Sequence, residues 1–219
     1  QALRSPVVSN DASAFRMMAT LAFAGGLSGL ILVGSYQVTA PRIARNRAEA
    51  LEKAVYKVLP GATSQAPVVL RQGRALTVSR AEVQSGEVPA WAGRDDAGAL
   101  IGYAIPASGV GFQDTISLLY GYDASRGRVI GMEVLESKET PGLGDKIIKD
   151  RAWVGQFSDL AVVPPPKAVK KGKGTGAPNE IDAISGATIS SNAVVKIIGG
   201  EAARWGDSLK DVTPAGQER

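Results

Sequence analysis

A long segment without charge near the start of the sequence constrains the fold most strongly. No residue from Met17 to Pro41 is charged, and about 20 apolar residues in one helix are enough to cross a hydrocarbon core about 30 Å thick. The apolar part of a cleaved signal peptide is shorter, about 7–15 residues. The sequence therefore predicts a retained transmembrane helix at 17–40, preceded by an N-terminal tail at 1–16.

The residues after Pro41 predict a second, amphipathic helix. Its apolar positions recur at helical intervals, and the segment stops at Pro60 and Gly61, a pair that ends helices. These positions are Ile43, Ala48, Leu51, Val55, Val58 and Leu59. We assign 41–61 to a juxtamembrane helix, 62–206 to one soluble domain and 207–219 to a C-terminal tail.

The soluble part combines strand patterns with helix patterns. Three β-rich runs bounded by Gly, Asp and Ser predict an antiparallel meander, and they are Leu100–Ala104, Thr115–Tyr122 and Gly127–Leu135. Helical patterns follow from Lys146 to Phe157 and from Thr188 to Trp205. The predicted fold class is α+β, with a mainly antiparallel sheet and flanking helices.

The composition excludes several kinds of chemistry. The sequence contains no cysteine and no histidine. Disulfides, thiolate zinc sites, iron–sulfur clusters held by this chain and Cys/His or Ser/His nucleophiles are therefore excluded. Redox chemistry would require an organic cofactor, and no metal site is predicted.

The positive charge does not predict nucleic-acid binding. The formal net charge is +4, but the one dense basic run, Lys167 to Lys173, lies among Pro and Gly without aromatic residues. Such a run is typical of a solvated linker. The glycine-rich stretches GKGTG at 172–176 and GVG at 109–111 match neither the dinucleotide fingerprint nor the P-loop.

Four hydroxyl side chains surround one glycine where the last helix begins. They form the segment SGATISS and are Ser185, Thr188, Ser190 and Ser191. One interpretation is helix capping, because Ser and Thr satisfy N–H groups that have no partner inside the helix. The other is that a hydroxyl here is bonded to a phosphate group, which the helix dipole and free N–H groups favour. Gly186 and Ala187 would leave space for such a group.

The segment ETPGLG at 139–144 predicts a tight loop. Pro141, Gly142 and Gly144 favour backbone conformations that bulky residues avoid, and Leu143 can lie against a flat ring. Taken alone, the segment is more typical of an ordinary turn between a strand and a helix.

Read together, LESKETPGLGDKI at 135–147 and DAISGATIS at 182–190 resemble one known family. It is the FMN-binding domain shared by the G subunit of the Rnf electron-transport complex and the C subunit of the sodium-pumping NADH:quinone oxidoreductase. The resemblance runs from about Met17 to Trp205 and is closer to the Rnf G subunit.

The resemblance implies a covalent cofactor and a set of residues around it. In this family the final Thr of the D-x-x-[ST]-G-A-T pattern, here Thr188, carries FMN through a phosphoester bond. A separate flavin transferase moves FMN from FAD onto that hydroxyl with a divalent metal. The other residues implied or proposed near FMN are Asp182, Ser185, Gly186, Ala187 and Ser190 in one segment and Glu139, Thr140, Gly142, Leu143 and Gly144 in the other.

The resemblance also implies a function and a location. The chain would be an electron-relay subunit, without a complete active site of its own, in a membrane complex with iron–sulfur and membrane subunits that couples electron flow between ferredoxin and NAD to ion movement. The flavin domain would face the periplasm from the bacterial inner membrane. Positive charges oppose this orientation, because two residues, Arg4 and Arg16, precede the span and four follow it, namely Arg42, Arg45, Arg47 and Lys53.

Two other functions remain open at this point. The chain could be the C-type subunit of a sodium-pumping quinone reductase, or another anchored flavoprotein reductase. It could also be an anchored extracytoplasmic binding or scaffold module, in which SGATISS is only a helix cap and ETPGLG only a turn.

Overall fold

The computed structural model describes residues 11–214, and its first element is a single long helix. Helix α1 spans Asp11–Val58 and contains Pro41, so the predicted transmembrane and juxtamembrane segments form one helix rather than two. A proline inside a helix removes one backbone hydrogen bond, but α1 continues on both sides of Pro41. The helix ends at Val58, directly before the predicted stop at Pro60 and Gly61. Residues 1–10 of the predicted N-terminal tail lie outside the described residues.

The chain divides into two compact units, one ending at Glu49 and the other beginning at Ala50. In the first unit the large apolar side chains of α1 are exposed, among them Phe15, Leu21, Leu30 and Leu32. Apolar surface of this extent is unfavourable in water. Among the described residues, α1 is the one helix long and apolar enough to cross a membrane.

The second unit is built on an antiparallel sheet. Its eight strands lie in the order β10-β2-β1-β3-β4-β5-β6-β7, and only the β10–β2 pair is parallel. The strands are β1 Ser64–Arg71, β2 Arg74–Thr77, β3 Ala90–Arg94, β4 Leu100–Val110, β5 Thr115–Asp123, β6 Arg128–Glu136, β7 Leu160–Ala161 and β10 Thr213–Pro214. The predicted meander is therefore confirmed as β4, β5 and β6.

Three further helices and a small second sheet complete the domain. The helices are α2 Lys146–Lys149, α3 Arg151–Gly155 and α4 Thr188–Trp205, and a short 3-10 helix covers Arg80–Glu82. The second sheet pairs β8, Lys167–Lys170, in parallel with β9, Glu180–Ala183. The fold class is α+β, as predicted.

The predicted linker at Lys167 to Lys173 is wrong for its first four residues. They form strand β8, because β9 supplies backbone partners and the Lys167 ammonium lies 2.9 Å from the Glu180 carboxylate. The predicted C-terminal tail also packs against the domain in part. Leu209 is only 2% exposed, the Ser208 hydroxyl donates to the Gly73 carbonyl, and β10 pairs with β2. Residues 215–219 of this tail lie outside the described residues.

The sheet is buried on both faces. Alternate residues of a strand point to opposite faces, so Tyr120 belongs to the core cluster that includes Ile198 of α4, whereas neighbouring Leu119 belongs to a second cluster. That second cluster contains Val55 and Val58 of the last turn of α1 and the following Leu59, which are buried with Ala104 and Leu119. The end of α1 is thus part of the core of the second unit.

Small residues make room for this helix end. Ala104, Gly121 and Gly131 are neighbours across β4, β5 and β6. A Cβ on Gly121 would overlap the backbone carbonyl of Val58, whereas a Cβ on Gly131 would lie 3.4 Å from the same oxygen. Gly121 is therefore required by close packing and Gly131 is not.

Candidate functional site

The two motifs meet at one pocket, although they are far apart in sequence. ETPGLG lies between β6 and α2, and SGATISS connects β9 to α4. The cavity has a volume of about 300 Å³ and is lined by Phe112, Glu139, Thr140, Leu143, Gly144, Gly186, Ala187, Thr188, Ile189 and Ser190. Eight of the eleven residues predicted near the cofactor therefore lie at this pocket.

Glycines allow the two segments to approach each other. Gly186 has a φ of +84°, and a Cβ there would lie 3.3 Å from the Leu143 side chain. A Cβ on Gly144 would lie 2.8 Å from the Glu139 side chain and 3.1 Å from the Ser190 hydroxyl. Side chains of the pocket wall therefore pack closely against the backbone at Gly144 and Gly186, and at Gly144 they leave no space for a larger residue.

Glu139 connects three parts of the pocket through its carboxylate. The side chain is 5% exposed. Oε1 accepts the N–H of Phe112 at 2.8 Å and that of Gln113 at 3.0 Å, and Oε2 accepts the Ser190 hydroxyl. Burial raises the pKa of the Glu139 carboxyl, but the hydrogen bonds from Ser190, Gln113 and Phe112 outweigh burial and hold this pKa below its ordinary value.

The four hydroxyls of SGATISS have different environments. Ser190 and Ser191 are buried, and the Ser191 hydroxyl accepts the Ile184 N–H at 3.0 Å and donates to the Ala187 carbonyl at 2.9 Å. Ser185 and Thr188 are exposed, and neither hydroxyl forms a hydrogen bond within the described part of the chain. Thr188 therefore has an accessible hydroxyl at the rim of the pocket.

The N-terminus of α4 faces this pocket without a side-chain cap. The N-cap residue is Ala187, which offers no side-chain acceptor. The first intrahelical bond runs from the Ser191 N–H to the Ala187 carbonyl at 3.0 Å, so the N–H groups of Thr188, Ile189 and Ser190 have no acceptor inside the helix. Free N–H groups and the positive end of the helix dipole favour an anion at this position.

Exposed apolar side chains border the pocket. Phe112 is 64% exposed, Ile189 58% and Leu143 49%. The sequence analysis missed Phe112 and Ile189. The available signal for Phe112 was an aromatic residue directly after the GVG stretch at 109–111, and Ile189 directly follows the predicted attachment residue.

Three predicted residues do not line the pocket. Asp182 lies in β9. The Trp153 indole N–H donates to its carbonyl, and its own N–H donates to the Gln156 side chain. Its carboxylate accepts the Gly172 N–H at 3.3 Å. Gly142 provides a φ of +79° in the loop, and Ser185 is exposed outside the cavity lining. Thr140 does line the pocket, and its hydroxyl is 3.0 Å from Oε1 of Gln113.

Known proteins are similar to this chain in sequence, and others are similar to it in fold. A family model described as FMN-binding domain matches residues 111–199. The G subunit of the ion-translocating oxidoreductase complex of Methanosarcina acetivorans is 30% identical, across 86% of this chain and 92% of that relative. The chain belongs to this G-subunit family. The corresponding protein of Pseudomonas aeruginosa is 32% identical across 95% of this chain and 97% of its own length.

Two solved structures share the fold of this chain. NqrC of Shewanella oneidensis has a TM-score of 0.61 at 19% identity and covers 76% of this chain and 99% of its own. The C subunit of the Na⁺-translocating NADH-quinone reductase of Parabacteroides distasonis has a TM-score of 0.60 at 18% identity, with coverage of 78% and 97%. Together with α1, membership of the G-subunit family supports a single-pass membrane protein.

The residues at the pocket fit flavin mononucleotide. The free N–H groups at the start of α4 suit its phosphate, and the apolar side chains of Phe112, Leu143 and Ile189 suit a flat aromatic ring. The chain would hold the phosphate at α4 and the ring between the two motifs.

Proposed function

We propose that this chain carries FMN covalently through Thr188 and serves as an electron-relay subunit of a membrane-bound, ion-translocating ferredoxin:NAD oxidoreductase of the Rnf type. The observation that carries the proposal is the Thr188 hydroxyl. It is exposed, has no hydrogen-bond partner within the described residues and lies at the uncapped start of α4, on the rim of the pocket. Membership of the G-subunit family supports the complex to which the relay belongs.

The attachment would be a phosphoryl-group transfer from FAD, made by a separate flavin transferase with a divalent metal. The Thr188 Oγ would bond to the phosphorus of the FMN half while the bond between the two phosphates of FAD breaks, so that the hydroxyl proton would be lost and AMP would leave. The N–H groups of Thr188, Ile189 and Ser190 would stabilise the negative charge on the new phosphoester.

The chain's residues position the cofactor. When bound, FMN supplies the oxidation and reduction chemistry, which this sequence without cysteine or histidine cannot supply. Phe112, Leu143 and Ile189 would exclude water from one side of the ring. A tethered cofactor stays in place while iron–sulfur and membrane subunits of the complex deliver and remove electrons.

The first test is the mass of the chain. The full chain, purified from cells that contain a flavin transferase, should show an added mass equal to FMN less one water and a fluorescent band on a denaturing gel. The modification should map to the peptide that contains Thr188. An unmodified mass with a dark band would contradict covalent attachment of FMN, and a native chain that also lacks flavin absorbance would favour the binding or scaffold module.

We further propose that the FMN domain lies on the periplasmic side of the bacterial inner membrane. The family resemblance supports this side, and the opposing charge count is weak because domains longer than about 60 residues cross membranes largely regardless of charge.

The natural chain has no cysteine, so a single Lys171→Cys substitution in an exposed loop gives one labelling site. A membrane-impermeant maleimide should label it in intact cells, whereas the control Ser5→Cys, before the span, should be labelled only after lysis. The reverse pattern would place the domain in the cytoplasm.

A further inference from the structure

Glu139 is a buried charge at the wall of the pocket, and both its oxygens are bound by the chain itself. Oε1 accepts the N–H groups of Phe112 and Gln113, and Oε2 accepts the Ser190 hydroxyl. Its hydrogen bonds join the turn after β4 to the first turn of α4.

Packing around Glu139 fixes the carboxylate in position. A Cβ on Gly111 would overlap Oε1, and a Cβ on Gly144 would lie 2.8 Å from Oε2. Glycine at both positions therefore leaves the carboxylate as the group that fills the space between the turn and the loop. The side chain cannot move away from the pocket without breaking hydrogen bonds on both sides.

The negative charge of Glu139 is solvated by hydrogen bonds and has no cationic partner in the part of the chain that the structure describes. The cation nearest in sequence, Lys138, is 2.9 Å from Asp114 and pairs with that carboxylate instead. Within the described residues, no Lys or Arg forms an ion pair with Glu139. Two N–H dipoles and one hydroxyl stabilise the carboxylate but leave the net charge at the pocket unneutralised.

We propose that Glu139 lowers the reduction potential of the flavin bound in this pocket. The inference rests on the proposed function, since it requires FMN at the site. A reduced flavin carries more electron density than an oxidised flavin, and a fixed negative charge in a partly water-excluded pocket disfavours that added density. The protein surroundings of a cofactor tune its potential in this way.

The test compares two substitutions that each remove one carboxylate charge. Glu139→Gln keeps the shape of the side chain and an acceptor oxygen for the Phe112 and Gln113 N–H groups. Asp114→Asn is the matched control, because Asp114 belongs to the turn after β4 that Glu139 binds. Asp114 is more exposed than Glu139, pairs with Lys138 and does not line the pocket. The midpoint potential of the attached flavin is measured by spectroelectrochemistry on the full chain in detergent at pH 7.

Glu139→Gln should favour the reduced flavin by at least about tenfold, which is about 30 mV more positive for a two-electron couple. Asp114→Asn should leave the potential within about a third of that shift. Equal potentials for the natural chain and Glu139→Gln would overturn the proposal, as would an equal positive shift for both variants.

A second variant keeps the proposal testable if Glu139→Gln does not fold or does not retain flavin. Ser190→Ala removes one donor to the carboxylate and leaves its charge, so the potential should stay unchanged or become more negative. A positive shift in Ser190→Ala would overturn the proposal.

Gel fluorescence of every sample separates the role of Glu139 from the proposed function on which it rests. A dark natural chain contradicts covalent FMN, whereas unchanged potentials in fluorescent samples contradict only the role of Glu139.

Discussion

Replacing Thr188 with valine should abolish covalent flavin attachment and leave the fold intact. Valine has nearly the shape of threonine and lacks only the hydroxyl, which is exposed and forms no hydrogen bond within the described part of the chain. The free energy of unfolding should therefore change by no more than about 0.5 kcal/mol. Intact mass and gel fluorescence report attachment, and thermal unfolding followed by circular dichroism reports the fold.

The matched control is Ser185→Ala, three residues earlier in the same segment. Ser185 is also exposed and also has a hydroxyl without a partner among the described residues, but it does not line the pocket. This variant should keep the full added mass. Attachment at Thr188 would be refuted if Thr188→Val remained fluorescent, and a dark Ser185→Ala would show that the assignment within SGATISS is incomplete.

Replacing Gly121 with alanine should strongly destabilise the soluble domain. The new Cβ would overlap the carbonyl oxygen of Val58, a backbone atom in the last turn of α1 that cannot rotate away as a side chain can. Overpacking of this kind costs about 3 kcal/mol at the upper end of its usual range. For a domain of this size, that corresponds to roughly 6–12 °C in the unfolding midpoint.

Gly131→Ala is the control for Gly121→Ala. Gly131 is the cross-strand partner of Gly121 and lies under the same helix end, but its Cβ would be at an ordinary distance of 3.4 Å from the Val58 oxygen. Its unfolding midpoint should remain close to that of the natural chain. Equal losses in both variants would mean that the end of α1 is not packed on β5 as described.

Much of the fold could be predicted because local pattern and tertiary structure agree there. The β-rich runs bounded by Gly, Asp and Ser identified β4, β5 and β6, and the helical spacing after SGAT correctly placed the start of α4 at Thr188. The two motifs also predicted most of the pocket. In these segments, residue preference and burial favour the same structure.

Local rules failed where distant residues decide the structure. Pro and Gly around Lys167 indicated a linker, but pairing with β9 makes this segment a strand. The partners of Glu139 are 26, 27 and 51 residues away along the chain, so no local spacing could reveal that both carboxylate oxygens are already bound. Phe112 was missed for the same reason, since its place beside SGAT depends on the folded sheet.

The surface position of the Thr188 hydroxyl has a consequence for the order of biogenesis. Ser190 and Ser191 hold the first turn of α4 through their own hydrogen bonds, and Thr188 contributes its side chain to neither. A modifying enzyme could therefore act on the finished domain without unwinding it. If Thr188 carries FMN as proposed, synthesis, membrane insertion and folding could all be completed before the flavin is added. A cell short of flavin would then accumulate intact protein that can be loaded later.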